Sequence, residues 1–483
     1  MLSKVYNILP QFLQDLVIDI HKDLRLLLFF FTSSIKNKRC TGINKKILTD
    51  FNKSRKYGPL NKICYAPYTS MFFSRSGLVS PCYASYNDKS SHIKSNSIKD
   101  IWFNGSFKAI REQHKTCDLS KNCKFCKEIM DKTAYESLLI NKYEHYAFSK
   151  SKYPAIMEFE ISNKCNLSCI MCDSNLSSSL EAGNLEKISG NQYYDDKFIE
   201  QLIEFIPHLQ LAEFTGGDPF MIQEYYKIWE MIAEINPKCN ILITTNANTM
   251  NSRIEKLLET HRNIHFNVSI DSLEKENYEK IRRGGNLDFA LRNLDMFIKY
   301  TKKHNTSLNM LVCPMTVNKH ELHSFVDFAN EKNICVFYHT VVKPKGLSLK
   351  YLDKNILMNT IKDMEKFTSD TKTKNQRTNL KNYQNLISLL KSWHDEVTDE
   401  KCDKEKKLLS EAEALELIRS KILGNEGLTD KMTSLLNRLN NSDSYLLIIN
   451  RLANIKDDVF IEYLQSKTID ELKQICINIG NKN

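Results

Sequence analysis

Lys164-Cys165-Asn166-Leu167-Ser168-Cys169-Ile170-Met171-Cys172-Asp173 follows closely on an apolar run, Ile156 to Ile161, and so reads as a loop at the end of a β-strand. Three cysteines spaced CxxxCxxC are a poor accident. With cysteine at about 3% of positions, a chain holding 14 of them shows this pattern by chance roughly once in a hundred cases. Thiolate sulfur is a soft ligand suited to iron–sulfur and zinc sites. Three thiolates on one short loop can hold three corners of a cubane cluster, leaving the fourth iron open to a reactive ligand.

Working outward from that loop, residues 151–345 alternate strand and helix patterns. Strands are predicted at Ile156 to Ile161, Leu209 to Phe214, Ile241 to Thr245, Ile264 to Ile270, Leu308 to Val312 and Ile334 to His339. Amphipathic helices are predicted at Phe198 to Ile206, Tyr225 to Ile235, Arg253 to Thr260, Phe289 to Tyr300 and Glu321 to Glu331. Six strands alternating with helices give an α/β fold with a parallel sheet and right-handed crossovers, open or curled into a partial (β/α)6 TIM-like barrel. Chemistry in such folds collects at the carboxyl ends of the strands.

Upstream, residues 60–150 break into short β-like pieces, turns and cysteines. Met71 to Val79 reads as a hairpin around Arg75-Ser76-Gly77, and Ile98 to Arg111 as one helix. Cys64 precedes the hairpin, Cys82 follows it, and Cys123-Lys124-Phe125-Cys126 closes the segment, with Cys117 just ahead. The pattern points to a small cysteine-rich α+β module held by four thiolates, and it leaves zinc and an iron–sulfur cluster both open.

The three-cysteine loop resembles that of the radical S-adenosylmethionine (radical SAM) enzymes. The resemblance implies a 4Fe-4S cluster on Cys165, Cys169 and Cys172 whose open iron binds S-adenosylmethionine. One-electron reduction then yields a 5′-deoxyadenosyl radical. It also implies cofactor contacts from Met171, from Gly216-Gly217-Asp218-Pro219, where the family shows GGE(P), and from Ser269 and Asp271 at the fourth strand's end. Polar residues closing an apolar strand read equally well as helix caps on their own. Thr245-Asn246-Ala247 stands where the family often shows Thr-Asn-Gly, and Gly284-Gly285 reads as a helix stop.

Cys64-Tyr65-Ala66-Pro67, Gly77 to Cys82, Ile98 to Phe103 and the Cys123/Cys126 pair look like a SPASM/twitch module. That likeness nominates Cys64, Cys82, Cys123 and Cys126 as ligands of a second, auxiliary 4Fe-4S cluster. Here the module precedes the core, whereas in most such enzymes it follows. Cys117 is left as a spare, read as a substitute ligand, a substrate-side thiol or an inert residue.

The resemblance implies an enzyme that abstracts hydrogen from a peptide or protein, leading to oxidation, crosslinking or epimerisation, with radical dehydrogenation of a small molecule as the alternative. A non-catalytic zinc or iron–sulfur interaction protein is the remaining class. Cys313, ending the fifth predicted strand, is the thiol best placed to return a hydrogen, and Tyr338 and His339 end the sixth.

The net charge of +10 suits an acidic flavodoxin- or ferredoxin-like electron donor. Lysines spread along the chain without aromatic interleaving give no nucleic-acid signature. Residues 1–59 read as an amphipathic helix, Val5 to Ile20, before a basic stretch that includes Lys45, Lys46, Lys53, Arg55 and Lys56. That arrangement is expected to pack on the main domain, with peripheral membrane contact as the alternative. Residues 346–483 read as helical, with capping boxes at Ser410/Glu413 and Thr468/Glu471. No secretory signal pattern opens the chain, and the longest apolar run, Leu26 to Phe31, is far short of the ~20 residues of a membrane span. The expected compartment is a reducing cytoplasm, where clustered cysteines bind metal more often than they pair.

Overall fold

The computed structural model describes residues 40–85, 91–147, 149, 151–173, 177–180, 193–403, 411–422, 426–439 and a scatter beyond, including 468–472. The helix read at Val5 to Ile20, and Ser410 of the first capping box, lie outside the described residues.

Eight strands form one sheet: β1 (Ser70–Ser74), β2 (Val79–Ser80), β3 (Ile156–Glu160), β4 (Leu211–Phe214), β5 (Asn240–Thr245), β6 (Ile264–Ser269), β7 (Leu308–Val312) and β8 (Cys335–Tyr338). Their order is β2-β1-β3-β4-β5-β6-β7-β8. The six core strands fall where the periodicity puts them and pair in parallel, each followed by helices that run back along the sheet. Their outward side chains build an aromatic layer. Phe159 stacks between Phe73 and Phe214, and Phe214 meets Tyr225 and Trp229 of the helix Gln223–Ile235 edge-on.

The upstream hairpin is not the separate body that its composition suggests. β1 pairs with β3 in parallel, Ser70 opposite Ile156 and Ser74 opposite Glu160, so the core sheet continues directly into the cysteine-rich segment. The predicted helix Ile98 to Arg111 is broken in two, Ile98–Phe103 and Gly105–His114. Gly105 at φ +50° supplies the left-handed joint that its Asn104-Gly105 sequence allows.

Arg55, read as part of a solvated basic stretch, is buried and pairs with Glu144 at 2.6 Å. The helix Lys45–Ser54 before it buries Leu48 and Phe51 in the module's core. Both outer strands of the sheet are protected. β2 is two residues long, while the β8 edge is met by asparagines of the helix Lys374–Asp403. Asn379 accepts from Val336 N–H and donates to Ile334 C=O, and Asn382 donates to Val336 C=O.

The chain divides into compact units at Lys391/Ser392. The second has its own apolar core, including Ala414, Ile418, Met432 and Leu435. In it Thr468 and Glu471 form the reciprocal capping box, with Glu471 N–H on Thr468 Oγ1 at 3.3 Å and Thr468 N–H on Glu471 Oε2 at 2.8 Å. No described helix is long and apolar enough to cross a membrane.

Candidate metal centres

The loop bearing Cys165, Cys169 and Cys172 leaves the carboxyl end of β3 and is held on two sides. On one side, β4 ends in Gly216 and Gly217 at φ +83° and +46°. A Cβ on Gly217 would lie 2.0 Å from Lys164 O, and one on Gly216 would lie 2.5 Å from Ser162 O. Only glycine lets these backbones meet. Asp218 N–H then donates to Lys164 O at 2.7 Å. On the other side, Ser168 and Ile170 donate to the carbonyls of Arg283 and Ile281. Gly284, at φ +87°, faces Asn166 O, so the second Gly-Gly pair follows the helix Lys275–Ile281 and also lies against the loop.

All three thiols are free and half-buried, and burial raises each, Cys172 to about 11. Cys165 Sγ accepts from Leu167 N–H at 3.4 Å and faces Asn246 Nδ2 at 3.7 Å. Against burial stands one cation, Arg282, whose charge favours the thiolates of Cys169 and Cys165. Arg282 is buried and bound to Asp271 at 2.7 Å. It is the most informative residue that sequence reasoning missed. Its one signal is its place before Gly284-Gly285, after the helix that follows β6.

The residues nominated around the loop divide by what occupies them. The Asp218 carboxylate is fully buried and accepts from Phe220 N–H, Thr245 Oγ1 and Asn246 N–H at 3.1, 2.8 and 2.8 Å. It therefore ties the β4 end to the β5 end, and it is the loop's backbone that Asp218 N–H grips. Asp271, also buried, accepts from Cys313 N–H at 2.7 Å, while its own carbonyl accepts from Asn318 Nδ2. It ties β6 to β7. Pro219 is buried and opens the turn Pro219–Met221, while Ser269 is half-buried at the end of β6.

Met171 and Cys313 come together, packed on one apolar cluster of Ile281, Met315 and Val341. Burial pushes the Cys313 thiol well up, keeping it protonated. Tyr338 spends its hydroxyl on Leu322 O at 2.8 Å, whereas His339, its pKa lowered by burial, lies within electrostatic reach of Asp271.

The second set lies at the other end of the same strands. Cys64 precedes β1 by a short helix, and Cys82 follows β2, which runs antiparallel to β1, so both fall beside the amino ends of β1 and β3. Cys64, Cys82, Cys123 and Cys126 line one cavity together with His114 and Tyr143. All four thiols are free. Burial raises Cys64 and Cys82 far up, Cys123 to about 12 and Cys126 to about 11, and charge on neighbouring sulfurs raises Cys64, Cys82 and Cys123 further. Four thiolates in so small a space are stable only around a cationic core, which is the chemistry of a metal centre.

Four cysteine thiolates suit a structural zinc and an iron–sulfur cluster alike. Cys117, read as a spare, is joined to Cys40 by a disulfide.

Two family matches agree with this geometry. Residues 159–329 match the radical SAM superfamily, and residues 64–127 match the SPASM iron-sulfur cluster-binding domain. The chain is a radical SAM protein with its SPASM domain ahead of the core. Its cofactors follow: a 4Fe-4S cluster, S-adenosylmethionine and auxiliary iron–sulfur. Curated relatives of this radical SAM chain include a GTP 3′,8-cyclase of Clostridium perfringens, 23% identical over 235 residues, 46% of this chain and 68% of that protein. Another, from Hydrogenovibrio crunogenus, is 28% identical over 197 residues, 40% of this chain and 57% of that protein. Among solved structures, Streptococcus suis SuiB bound to S-adenosylmethionine aligns over 50% of this chain and 49% of its own, with 14% identity and a TM-score of 0.32. For anSMEcpe with bound AdoMet the figures are 44% and 60%, with 17% identity and a TM-score of 0.34. The chain thus spans about half to two thirds of the length of the proteins it matches.

Proposed function

We propose that this radical SAM enzyme oxidises a peptide or protein substrate. In this reading Cys165, Cys169 and Cys172 hold the cluster that binds S-adenosylmethionine, and Cys64, Cys82, Cys123 and Cys126 hold an auxiliary 4Fe-4S centre. The observation that carries it is the pair of cysteine sites at opposite ends of one barrel. From Ile156 to Glu160 the strand rises about 13 Å, four steps of ~3.3 Å. A substrate at the carboxyl ends is therefore out of contact with Cys64 and Cys82, and what a centre there supplies is a one-electron acceptor, not a substrate ligand. That favours dehydrogenation or crosslinking, both of which must dispose of an electron.

When held by Cys165, Cys169 and Cys172, the cluster with S-adenosylmethionine would supply radical chemistry for hydrogen-atom abstraction from the substrate. The protein's part is positioning. Gly216 and Gly217 expose strand-end backbone beside the cysteine loop, and Met171 offers an apolar surface at the same mouth. Asp218 and Asp271 each lock two strand ends together, so neither has to reorganise when cofactor binds. Arg282 sets the charge next to Cys169. Cys313, protonated and packed on the same apolar cluster as Met171, is the hydrogen donor in the epimerisation variant of this reading. An acidic flavodoxin- or ferredoxin-like protein delivers the starting electron, and the cytoplasm is the proposed compartment.

The curated relatives' name favours a second reading, a small nucleotide substrate. One experiment separates the two. The anaerobically reduced protein is given S-adenosylmethionine with either a deuterated candidate peptide substrate or deuterated GTP. Deuterium in 5′-deoxyadenosine from the peptide supports the proposal. Deuterium from GTP alone overturns it in favour of the nucleotide.

A further inference from the structure

His114 ends the helix Gly105–His114 on the face that buries Phe107 and Ile110. A polar ring on such a face costs about 1–3 kcal/mol unless it is partnered, and a leucine or phenylalanine would fill the space more cheaply. The ring is 3% exposed, its Nδ1 has no hydrogen-bond partner among the described residues, and the Cys64 backbone also lies within hydrogen-bonding range of the ring. Its Nε2 lies 3.5 Å from Cys123 Sγ, and the ring lines the cavity shared by the four auxiliary cysteines.

The four sulfurs differ in what faces them. Cys64 faces the backbone N–H of Ala66, Cys82 that of Ala84, and Cys126 those of Leu139 and Ile140. Among the described residues no backbone donor faces Cys123; its neighbour is the His114 side chain. A metal-bound thiolate carries no proton, so in the Nε2–H tautomer of His114 the hydrogen bond runs from Nε2–H to sulfur.

We propose that His114 is a positioning and tuning residue of the auxiliary centre, donating a hydrogen bond from Nε2 to Cys123 Sγ and raising the centre's reduction potential. This rests on the assignment of Cys64, Cys82, Cys123 and Cys126 as its ligands. Hydrogen bonds to cluster sulfurs disperse the extra negative charge of the reduced state, which favours reduction. Cys64 receives such a bond from the Ala66 backbone N–H at 3.4 Å, whereas at Cys123 the donor is one replaceable side chain. The acceptor strength of the centre is thus set partly by His114.

The test is a potentiometric titration followed by EPR on the full chain carrying Cys165→Ala, Cys169→Ala and Cys172→Ala, so that one centre is observed. Adding His114→Phe is expected to keep about four irons per chain and move the midpoint to a more negative potential. His114→Gln, which retains an N–H donor, is expected to move it less. An unchanged midpoint in His114→Phe with iron retained overturns the proposal. Loss of iron from both variants also overturns it, because His114 would then be a ligand. A parent protein without iron would instead sink the ligand assignment itself, and the proposal with it.

Discussion

The two cysteine sites use the same element in opposite ways. The loop Cys165 to Cys172 gathers three half-buried thiols within eight residues, beside a buried arginine, at the carboxyl ends of the strands. The auxiliary site gathers four from between Cys64 and Cys126, three of them fully buried, with backbone and one imidazole as partners. In the proposed reading the first is open to a ligand and the second is closed by four sulfurs; Cys64, Cys82 and Cys126 form part of the hydrophobic core that also holds Leu48, Phe51 and Ile156. An open position marks the chemistry, and a closed one marks stability and electron storage.

The sharpest way to break this contrast is Cys165→Ala/Cys169→Ala/Cys172→Ala. It is expected to abolish 5′-deoxyadenosine formation under anaerobic reduction, to lower iron from about eight to about four per chain, and to leave the thermal unfolding midpoint nearly unchanged. Cys126→Ala should do the reverse: about four irons are lost and the midpoint falls, while reductive cleavage of S-adenosylmethionine continues and substrate turnover stops. Iron assay, calorimetry and product chromatography read all three quantities.

Next in size is the join between the two regions. Lys142 is 2.8 Å from Glu158 of β3 and 2.6 Å from Glu213 of β4, and Tyr143 donates to Glu158 at 2.8 Å beside the auxiliary cavity. Burial alone would lower the Lys142 pKa, but the two carboxylates raise it on balance. Lys142→Ala leaves buried Glu158 and half-buried Glu213 facing each other and is expected to cost about 1–3 kcal/mol by chemical denaturation. Because the folded pKa is raised, the stability this lysine contributes is present at neutral pH and is lost only as the pH climbs past the ordinary lysine value of about 10.4.

Gly217→Ala forces a Cβ against Lys164 O and is expected to destabilise by about 1–3 kcal/mol, with S-adenosylmethionine binding weakened in equilibrium dialysis and auxiliary iron untouched. The smallest expected effect on either centre is that of Cys117→Ser, whose partner sulfur is Cys40; iron content at both sites should stay at the parent value.

How much of this was legible in the sequence follows from range. The six core strands and the three-cysteine loop are local patterns, period and spacing, and they stand where they were read. The four auxiliary cysteines were nominated by likeness, and the fold brings them around one cavity. What stayed hidden was pairing across distance. β1 finds β3, Arg55 finds Glu144, Cys117 finds Cys40, and Arg282 finds Asp271 and the Cys169 loop. In none of these does the local residue pattern name the partner. Asp218 shows the same limit at short range. Likeness to GGE(P) placed Asp218 among the cofactor contacts, whereas its carboxylate is spent on Thr245, Asn246 and Phe220.

The parallel pairing of β1 with β3 also bears on the order in which the protein can be assembled. Ser70 leaves the ribosome long before Ile156, yet its strand has only the two-residue β2 to pair with until β3 is made. Closing so long a loop carries an entropic cost that nothing local repays. A metal centre that drew Cys64, Cys82, Cys123 and Cys126 together in the nascent chain would shorten that loop in advance. In that order of events, loading the auxiliary site primes the sheet edge on which the barrel is then built.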